Sequence, residues 1–203
     1  MKHGEKILLD AALIGDDKWS QFVNRHPDGN IFHSPVMVHF YMEVPFYKPV
    51  TFFYLGENNE ISGLIVSYIL RENNRLISSF SSRAIVWGGP LIKSGHEEIL
   101  GELLNALKDN LKGKVSYIQI RNLSDTSEFK NAFTREGFVF EEHLNILFTL
   151  NKPLDSLWKA VHPTRRKQIN RAVKKGVAIN VIDKPQADDL QHCYEILQQV
   201  YHN

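Results

Sequence analysis

The stretch "VTFFYLGENNEISGLIVSYIL", residues 50–70, contains two runs rich in β-branched and aromatic side chains. The first run extends from Val50 to Leu55 and the second from Ile61 to Leu70, with the turn signal "GENNE" between them. Runs of this composition, bounded by polar turn residues, are typical of β-strands. Since only a short turn joins them, we expect two antiparallel neighbours in one sheet.

The flanking sequence extends this pattern into a mixed domain. Further strands are predicted for "EKILLD", Arg75 to Phe80, Arg83 to Trp87, "VSYIQIRNL" and "FVFEEHLNILFTL". Helices are predicted for "GDDKWSQFVNRH", "SPVMVHFYMEV", His96 to Leu111 and "SEFKNAFTREG". Residues 1–150 are therefore predicted to form an α/β domain (α+β by some schemes) with a mixed, largely antiparallel sheet flanked by helices.

Composition narrows the class of protein. The 203 residues suit one large domain or one and a half ordinary ones, and 43% apolar residues fit a globular chain. Cys193 is the only cysteine, which excludes an internal disulfide and suggests a reducing compartment. No segment approaches the ~20 apolar residues of a membrane span. We therefore expect a cytoplasmic protein without stable membrane insertion.

The character of the chain changes after "NKPLD". A helix is predicted from Leu154 to Ala160, then a basic helix, a strand "VAINVID" and a helix from Ala187 to Tyr201. One helix–strand–helix unit buries little core by itself. Residues 151–203 are therefore predicted to be a connecting basic helix and the beginning of an incomplete second domain.

The basic helix lies within "HPTRRKQINRAVKKGVAI", residues 162–179. Seven bases and no acid fall between Ser156 and Ile182, whereas the remaining chain carries 17 bases against 23 acids. Pro163 and Gly176 predict a helix over about residues 163–175. A buried stripe is predicted at Ile169, Ala172, Val173 and Gly176, and a solvated face at Lys167, Arg171, Lys174 and Lys175.

Arg165 and Arg166 do not fit a simple solvated face. Both lie in the first turn, where the helix dipole disfavours a cation by about 0.3–1 kcal/mol. Free backbone N–H groups and two guanidinium groups would together bind a phosphate or carboxylate. The sequence favours such an anion site, and the alternative is pairing with distant acids such as Asp155 or the pair Glu141 and Glu142.

Outside the basic helix, the sequence offers one further candidate ligand site, at the segment "WGGP". "WGGP" contains Gly88 and Gly89, which would let backbone approach a ligand closely, although such a segment is also an ordinary turn. The nine histidines show no HExxH and no paired Cys–His spacing, so no metal is predicted. There is no GxSxG and no P-loop, and no constellation identifies a catalytic nucleophile or base.

Four segments in this order resemble the FemABX family of peptidoglycan-precursor aminoacyltransferases: "WSQFVNRHPDGNIFHSP", "GGPLI", "REGFVFEEHLNILFTL" and "LWKAVHPTRRKQINRAVKKGV". The resemblance implies tandem domains of the GNAT acyltransferase fold, the second incomplete here. It also implies cell-wall (peptidoglycan) biosynthesis, with a nucleotide- or lipid-linked muropeptide as acceptor and aminoacyl-tRNA as donor, and no further cofactor.

The same resemblance assigns roles to the basic helix. Arg165 and Arg166 would bind the acceptor phosphates, and Lys167, Arg171, Lys174 and Lys175 would face tRNA. The chain departs from the pattern in three places. It lacks the Q/RxxGxG/A loop that binds acyl-CoA pyrophosphate, and "PVMVHFYMEV" lacks a lysine found in some members. In the family, the residues that assemble the donor site would lie beyond Asn203. If the 203 residues are the whole protein, we expect acceptor binding without turnover.

Two other functions compete with this one. The first is an acyl-CoA-dependent N-acyltransferase acting on a sugar or lipid precursor. The second is a non-catalytic anion- or nucleic-acid-binding module that acts through the basic helix. The calculated pI of 7.9 is low for a nucleic-acid-binding domain.

Overall fold

The computed structural model describes residues 6–9, 11–71, 82–143, 146 and 148–201. The chain divides into two compact units, residues 1–145 and 146–203. The predicted strand from Arg75 to Phe80 lies outside the described residues. The assignment of the second unit as the start of another GNAT-like domain stays a prediction.

The first unit contains a mixed six-stranded sheet. Its strands are β1 (Lys6–Leu8), β2 (Tyr47–Leu55), β3 (Ile61–Leu70), β4 (Arg83–Gly88), β5 (Leu91–Ile92) and β6 (Tyr117–Asn122). The order is β1-β2-β3-β4-β6, and β5 pairs with β3 beyond the end of β4. Every pairing is antiparallel except that of β4 with β6. The hairpin predicted for residues 50–70 is therefore confirmed.

Helices cover both faces of this sheet. On one face lie α1 (Asp16–Arg25) and α2 (Pro35–Glu43), and on the other lie α3 (Ile99–Leu111) and α4 (Lys130–Arg135). Helix α2 begins as predicted, with the Ser34 hydroxyl accepting the Met37 N–H and Pro35 at the first helical position. Among the described residues, short 3₁₀ helices lie in the connections at Ala11–Leu13, Ile31–His33, Glu57–Asn59 and Ser127–Phe129.

Helix α3 explains why β4 and β6 can be parallel. Parallel strands need a long crossover, usually a helix, to return the chain to the same end of the sheet. The apolar spacing predicted for this segment is confirmed, and the buried side chains of α3 are Ile99, Leu100, Leu103, Leu104, Leu107 and Leu111. They pack on the sheet face formed by residues such as Phe52, Ile65 and Val86.

The described residues of the second unit form the helices α5 (Leu154–Ala160), α6 (Pro163–Lys174) and α7 (Ala187–Tyr201). All three were predicted, including the end of α6 just before Gly176. The buried stripe predicted for α6 is wrong within the described residues, because Ile169 is 44% and Val173 is 63% exposed. An amphipathic pattern predicts a helix, whereas burial also requires a partner surface.

Two predicted strands are absent from the described chain. Residues 138–143, 146 and 148–150 contain no strand, and neither do residues 177–183. Their apolar side chains are largely exposed, as at Val139 (90%) and Ile179 (90%). Alternation and β-branching favour extended backbone, but a strand exists only where another strand supplies the hydrogen-bond ladder.

Candidate functional site at the Gly88–Gly89 turn

The candidate site lies where the two parallel strands end. Gly88 closes β4 and is in register with Asn122, the last residue of β6. The chain then passes through Gly89 and Pro90 into β5, so β3 pairs first with β4 and then with β5. The ladder is interrupted between these pairings. Crevices outside the carboxyl ends of parallel strands are the usual ligand sites of α/β sheets.

Both glycines of the turn are required by the structure itself. Gly88 has φ 88° and Gly89 has φ 82°, in the left-handed region that other residues rarely adopt. A Cβ at Gly88 would lie 2.6 Å from His33 Cε1 and 2.7 Å from Asn30 Nδ2. A Cβ at Gly89 would collide with the Asn122 side-chain oxygen. The groups that approach the two glycines closely are side chains of this chain, namely His33, Asn30 and Asn122. That a ligand also approaches this turn stays a prediction.

A buried histidine, His33, holds the turn. Its Nδ1 accepts the backbone N–H of Asn30 at 3.3 Å, and its Nε2 lies 2.9 Å from the Gly89 carbonyl oxygen. Since Nδ1 is an acceptor, Nε2 carries the proton and donates it to Gly89. Burial lowers the pKa of His33 below its usual 6.5. The ring is therefore neutral near pH 7, and both nitrogens are engaged.

Trp19 connects the same histidine to the core. Its indole N–H donates to the His33 carbonyl oxygen at 2.6 Å, and its ring meets Phe53 edge-on. The sequence did not single out His33 among nine histidines. Nothing local distinguishes it, because its partner Gly89 is 56 residues away.

Trp87 and Arg121 lie side by side next to the turn. They are register partners on β4 and β6, and the Arg121 guanidinium lies 4.5 Å from the Trp87 ring centroid. The Trp87 ring also stacks on Phe32 at 5.7 Å. Its indole nitrogen is buried and has no hydrogen-bond partner in the described part of the chain. No local signal in the sequence singles out Arg121, although alternation in "VSYIQIRNL" puts it on one face with Tyr117 and Gln119.

The predicted anion pair lies in the first turn of α6. Arg165 is exposed and donates to the Gln168 side-chain oxygen at 2.9 Å, while Arg166 is half-buried. Among the described residues of the second unit, no ion pair joins either arginine to a carboxylate, so the alternative pairing with Asp155 is not observed there. Pairing with Glu141 or Glu142, which belong to the first unit, stays a prediction. Binding of an anion at these two arginines stays a prediction.

The rest of the basic helix is a solvated surface. Lys167, Arg171, Lys174 and Lys175 are all exposed. Lys174 and Lys175 stand at the carboxyl end of α6, where cations interact favourably with the helix dipole. A role toward tRNA stays a prediction.

The amino end of α3 is acidic. The Glu97 carboxylate accepts the Gly95 backbone N–H at 3.1 Å. Hydrogen bonds from the backbone N–H groups of Glu97 and Gly95 lower the pKa of this carboxyl. An adjoining cavity of about 300 Å³ is lined by Glu97, Glu98 and Glu128, by Arg135, and by Glu136, whose carboxylate pairs with Lys108 at 2.7 Å. Two carboxylates, those of Glu97 and Glu98, therefore stand at this end of the helix.

The described residues offer neither a metal site nor a membrane-spanning helix. No group of three or more His, Cys, Asp or Glu side chains there could hold a metal ion. None of the helices in that part of the chain has the length and apolar character needed to cross a membrane.

Comparison with known proteins identifies the fold. No protein-family model matches the chain, and no curated protein matches it. A solved structure described as a probable acetyltransferase matches with a TM-score of 0.50 and 11% identity, over 73% of this chain and 99% of that one. Glucosamine-6-phosphate N-acetyltransferase from Arabidopsis thaliana matches with a TM-score of 0.50 and 10% identity, over 73% and 100%. The fold is therefore GNAT-like, as the resemblance implied.

Proposed function

We propose that this chain is an acyltransferase whose reaction centre lies at the Gly88–Gly89 turn. The observation that carries the proposal is the parallel pair β4 and β6, which ends at an interrupted ladder in a GNAT-like sheet. The two matched structures are described as acetyltransferases, which supports acyl transfer as the reaction class.

Transfer at this site would depend on positioning. An amine of the acceptor attacks the activated acyl carbonyl, a C–N bond forms, and the bond from the carbonyl carbon to the donor's leaving atom breaks. Holding the two reactants in this geometry supplies much of the rate acceleration. His33 is a positioning residue and not the base, because both its nitrogens are engaged with Asn30 and Gly89. The base that accepts the amine proton is not assigned.

The finer proposal is transfer of FemABX type, from aminoacyl-tRNA to the peptide stem of a peptidoglycan precursor. It is supported by the sequence resemblance and by the charge at the amino end of α3. A pyrophosphate placed there would meet Glu97 and Glu98, and Glu97 already accepts a backbone N–H. Repulsion between these carboxylates and a pyrophosphate would disfavour an acyl-CoA donor bound at this end of the helix.

An acyl-CoA-dependent N-acyltransferase is the second candidate. It is favoured by the matched structures, which are described as acetyltransferases. The two candidates differ in the donor, so binding of coenzyme A separates them. Saturable binding of coenzyme A that involves residues of the α3 amino end would favour the second candidate over the first.

The test is calorimetric titration of the protein with a uridine-diphosphate-linked muropeptide at two salt concentrations. If Arg165 and Arg166 bind its phosphates, Arg165→Ala with Arg166→Ala should weaken binding by about 1.5–3 kcal/mol per lost charged contact. Binding should also weaken at the higher salt concentration. The matched control is Lys174→Ala with Lys175→Ala, which removes the same charge from the other end of α6.

Three outcomes would count against the finer proposal. The first is absence of muropeptide binding by protein shown to be folded. The second is an equal loss of affinity in the arginine and lysine variants, since that would indicate general charge attraction. The third is unchanged binding of the arginine variant together with lower stability, which would make the two arginines structural.

A further inference from the structure

The two faces of β6 differ in polarity. Ile118 and Ile120 pack against the core that lies beneath α3. The other face carries Tyr117, Gln119 and Arg121, which we call the polar row. None of the polar row belongs to a buried hydrophobic cluster, and both Tyr117 and Arg121 are exposed. Within the described residues, the polar row is therefore a solvent-accessible surface that extends along β6 to the Gly88–Gly89 turn.

Arg121 is the only cation of the polar row, and it stands at the end nearest the turn. Its guanidinium lies over the Trp87 ring at 4.5 Å. This cation–π contact orients the Arg121 side chain, while the N–H groups in the plane of the guanidinium can still donate hydrogen bonds to a ligand. Among the described residues, no carboxylate forms an ion pair with Arg121. Its charge is therefore uncompensated in that part of the structure.

Trp87 adds an independent observation. Its indole N–H is buried and lacks an acceptor in the described part of the chain. A buried donor without an acceptor is unfavourable, and such groups are rare in folded proteins. A ligand oxygen would satisfy this N–H only after a local shift of the ring, because the nitrogen is buried in this structure.

We propose that Arg121, supported by Trp87, binds a carboxylate or phosphate oxygen group of the acceptor at the carboxyl ends of β4 and β6. The inference rests on the proposed function only in assigning this group to the acceptor. The inference specifies the class of acceptor that the first unit would bind: an amine that also carries an anionic oxygen group.

Arg83 provides a matched control. It lies at the amino end of β4, four residues before Trp87 and about 13 Å away along the strand. Its guanidinium donates to the Tyr117 hydroxyl at 3.3 Å. Arg83→Gln and Arg121→Gln therefore remove the same charge from opposite ends of one parallel strand pair.

The experiment is an NMR titration with inorganic pyrophosphate and, separately, with succinate. It follows the side-chain N–H signals of Arg121 and Trp87 in the whole chain. We expect saturable shifts of both signals, and an affinity at this site that falls about tenfold or more in Arg121→Gln. Arg83→Gln should retain the affinity. Arg121→Lys should recover part of it, because the charge is kept and the fork is lost.

The two probes distinguish the source of the anionic group. Tighter binding of pyrophosphate indicates a phosphate, and tighter binding of succinate indicates a carboxylate. The proposal is overturned if the Arg121 and Trp87 signals do not respond to either probe. It is also overturned if Arg83→Gln and Arg121→Gln lose affinity equally. Because the assay needs no turnover, absence of transferase activity would count against the proposed function alone.

Discussion

Helices α3 and α6 both have an apolar stripe, but they have different surroundings. Six apolar side chains of α3 are buried on the sheet, whereas Ile169 and Val173 of α6 remain 44% and 63% exposed. The same amphipathic pattern thus gives a core element in the first unit and an uncovered helix in the second. Helix formation follows from local periodicity, while stability follows from the surface on which the stripe packs.

The largest expected effect is truncation of a buried leucine in α3. Leu103 is fully buried, so Leu103→Ala should destabilise the first unit by about 2–5 kcal/mol through lost burial and a residual cavity. Ile169→Ala on α6 should cost about 0.5 kcal/mol or less, since this site is already exposed. Urea unfolding of both variants measures the difference. Similar losses in the two variants would mean that α6 is packed as firmly as α3.

The second effect concerns the turn. Gly88→Ala should cost about 2 kcal/mol or more, because a left-handed φ and contacts with His33 and Asn30 oppose the added methyl group. Gly113→Ala is the control, with φ 71° and no heavy atom within 4 Å of the new Cβ. It should cost only about 1 kcal/mol for the backbone conformation. Thermal unfolding of the two variants separates the cost of steric contacts from the cost of the left-handed backbone. An equal loss of stability in Gly88→Ala and Gly113→Ala would contradict the tight packing around Gly88.

The smallest expected effect is a dependence of the first unit's stability on pH, which arises from His33. Burial lowers the pKa of His33, so as the pH falls below 6.5 the unfolded chain binds a proton before the folded chain does. The contribution of His33 to stability is therefore present above pH 6.5 and is lost as the pH falls through the lowered pKa. Asp28 and His26 act on the same ring in opposite directions, Asp28 raising and His26 lowering its pKa.

Urea unfolding between about pH 8 and pH 5 measures this dependence. The slope of stability against pH should become shallower in His33→Gln. The control is His162→Gln, which removes an exposed histidine at the amino end of α6 and leaves His33 in place. A slope that is equally steep in the wild type and His33→Gln would exclude His33 as the titrating group.

Much of the first unit could be predicted from local signals. Ser34 and Pro35 predicted the start of α2, and the leucine spacing predicted α3. The turn "GENNE" predicted the β2–β3 hairpin, because its two strands are neighbours in sequence. The segment 138–150 alternates as a strand would, yet its described residues contain none. Pairing depends on a partner that the segment's own residues do not specify.

The candidate site was predictable only in part. Gly88 and Gly89 could be singled out because adjacent glycines before a proline are a local signal. His33 and Arg121 could not, since what matters about them is contact with Gly89 and Trp87, residues distant in the chain. Arg165 and Arg166 could be singled out by their charge and position in the first turn of a helix.

The sequence by itself determined the helices, the β2–β3 hairpin and the concentration of positive charge on α6, because each depends on residues close together along the chain. Only the tertiary structure decided that β4 and β6 run parallel and that His33 holds the Gly88–Gly89 turn. It also decided that Arg121 lies over Trp87 at the end of these strands, whereas the stripe of α6 stays exposed. These features depend on residues far apart in the chain, and no local pattern encodes such contacts.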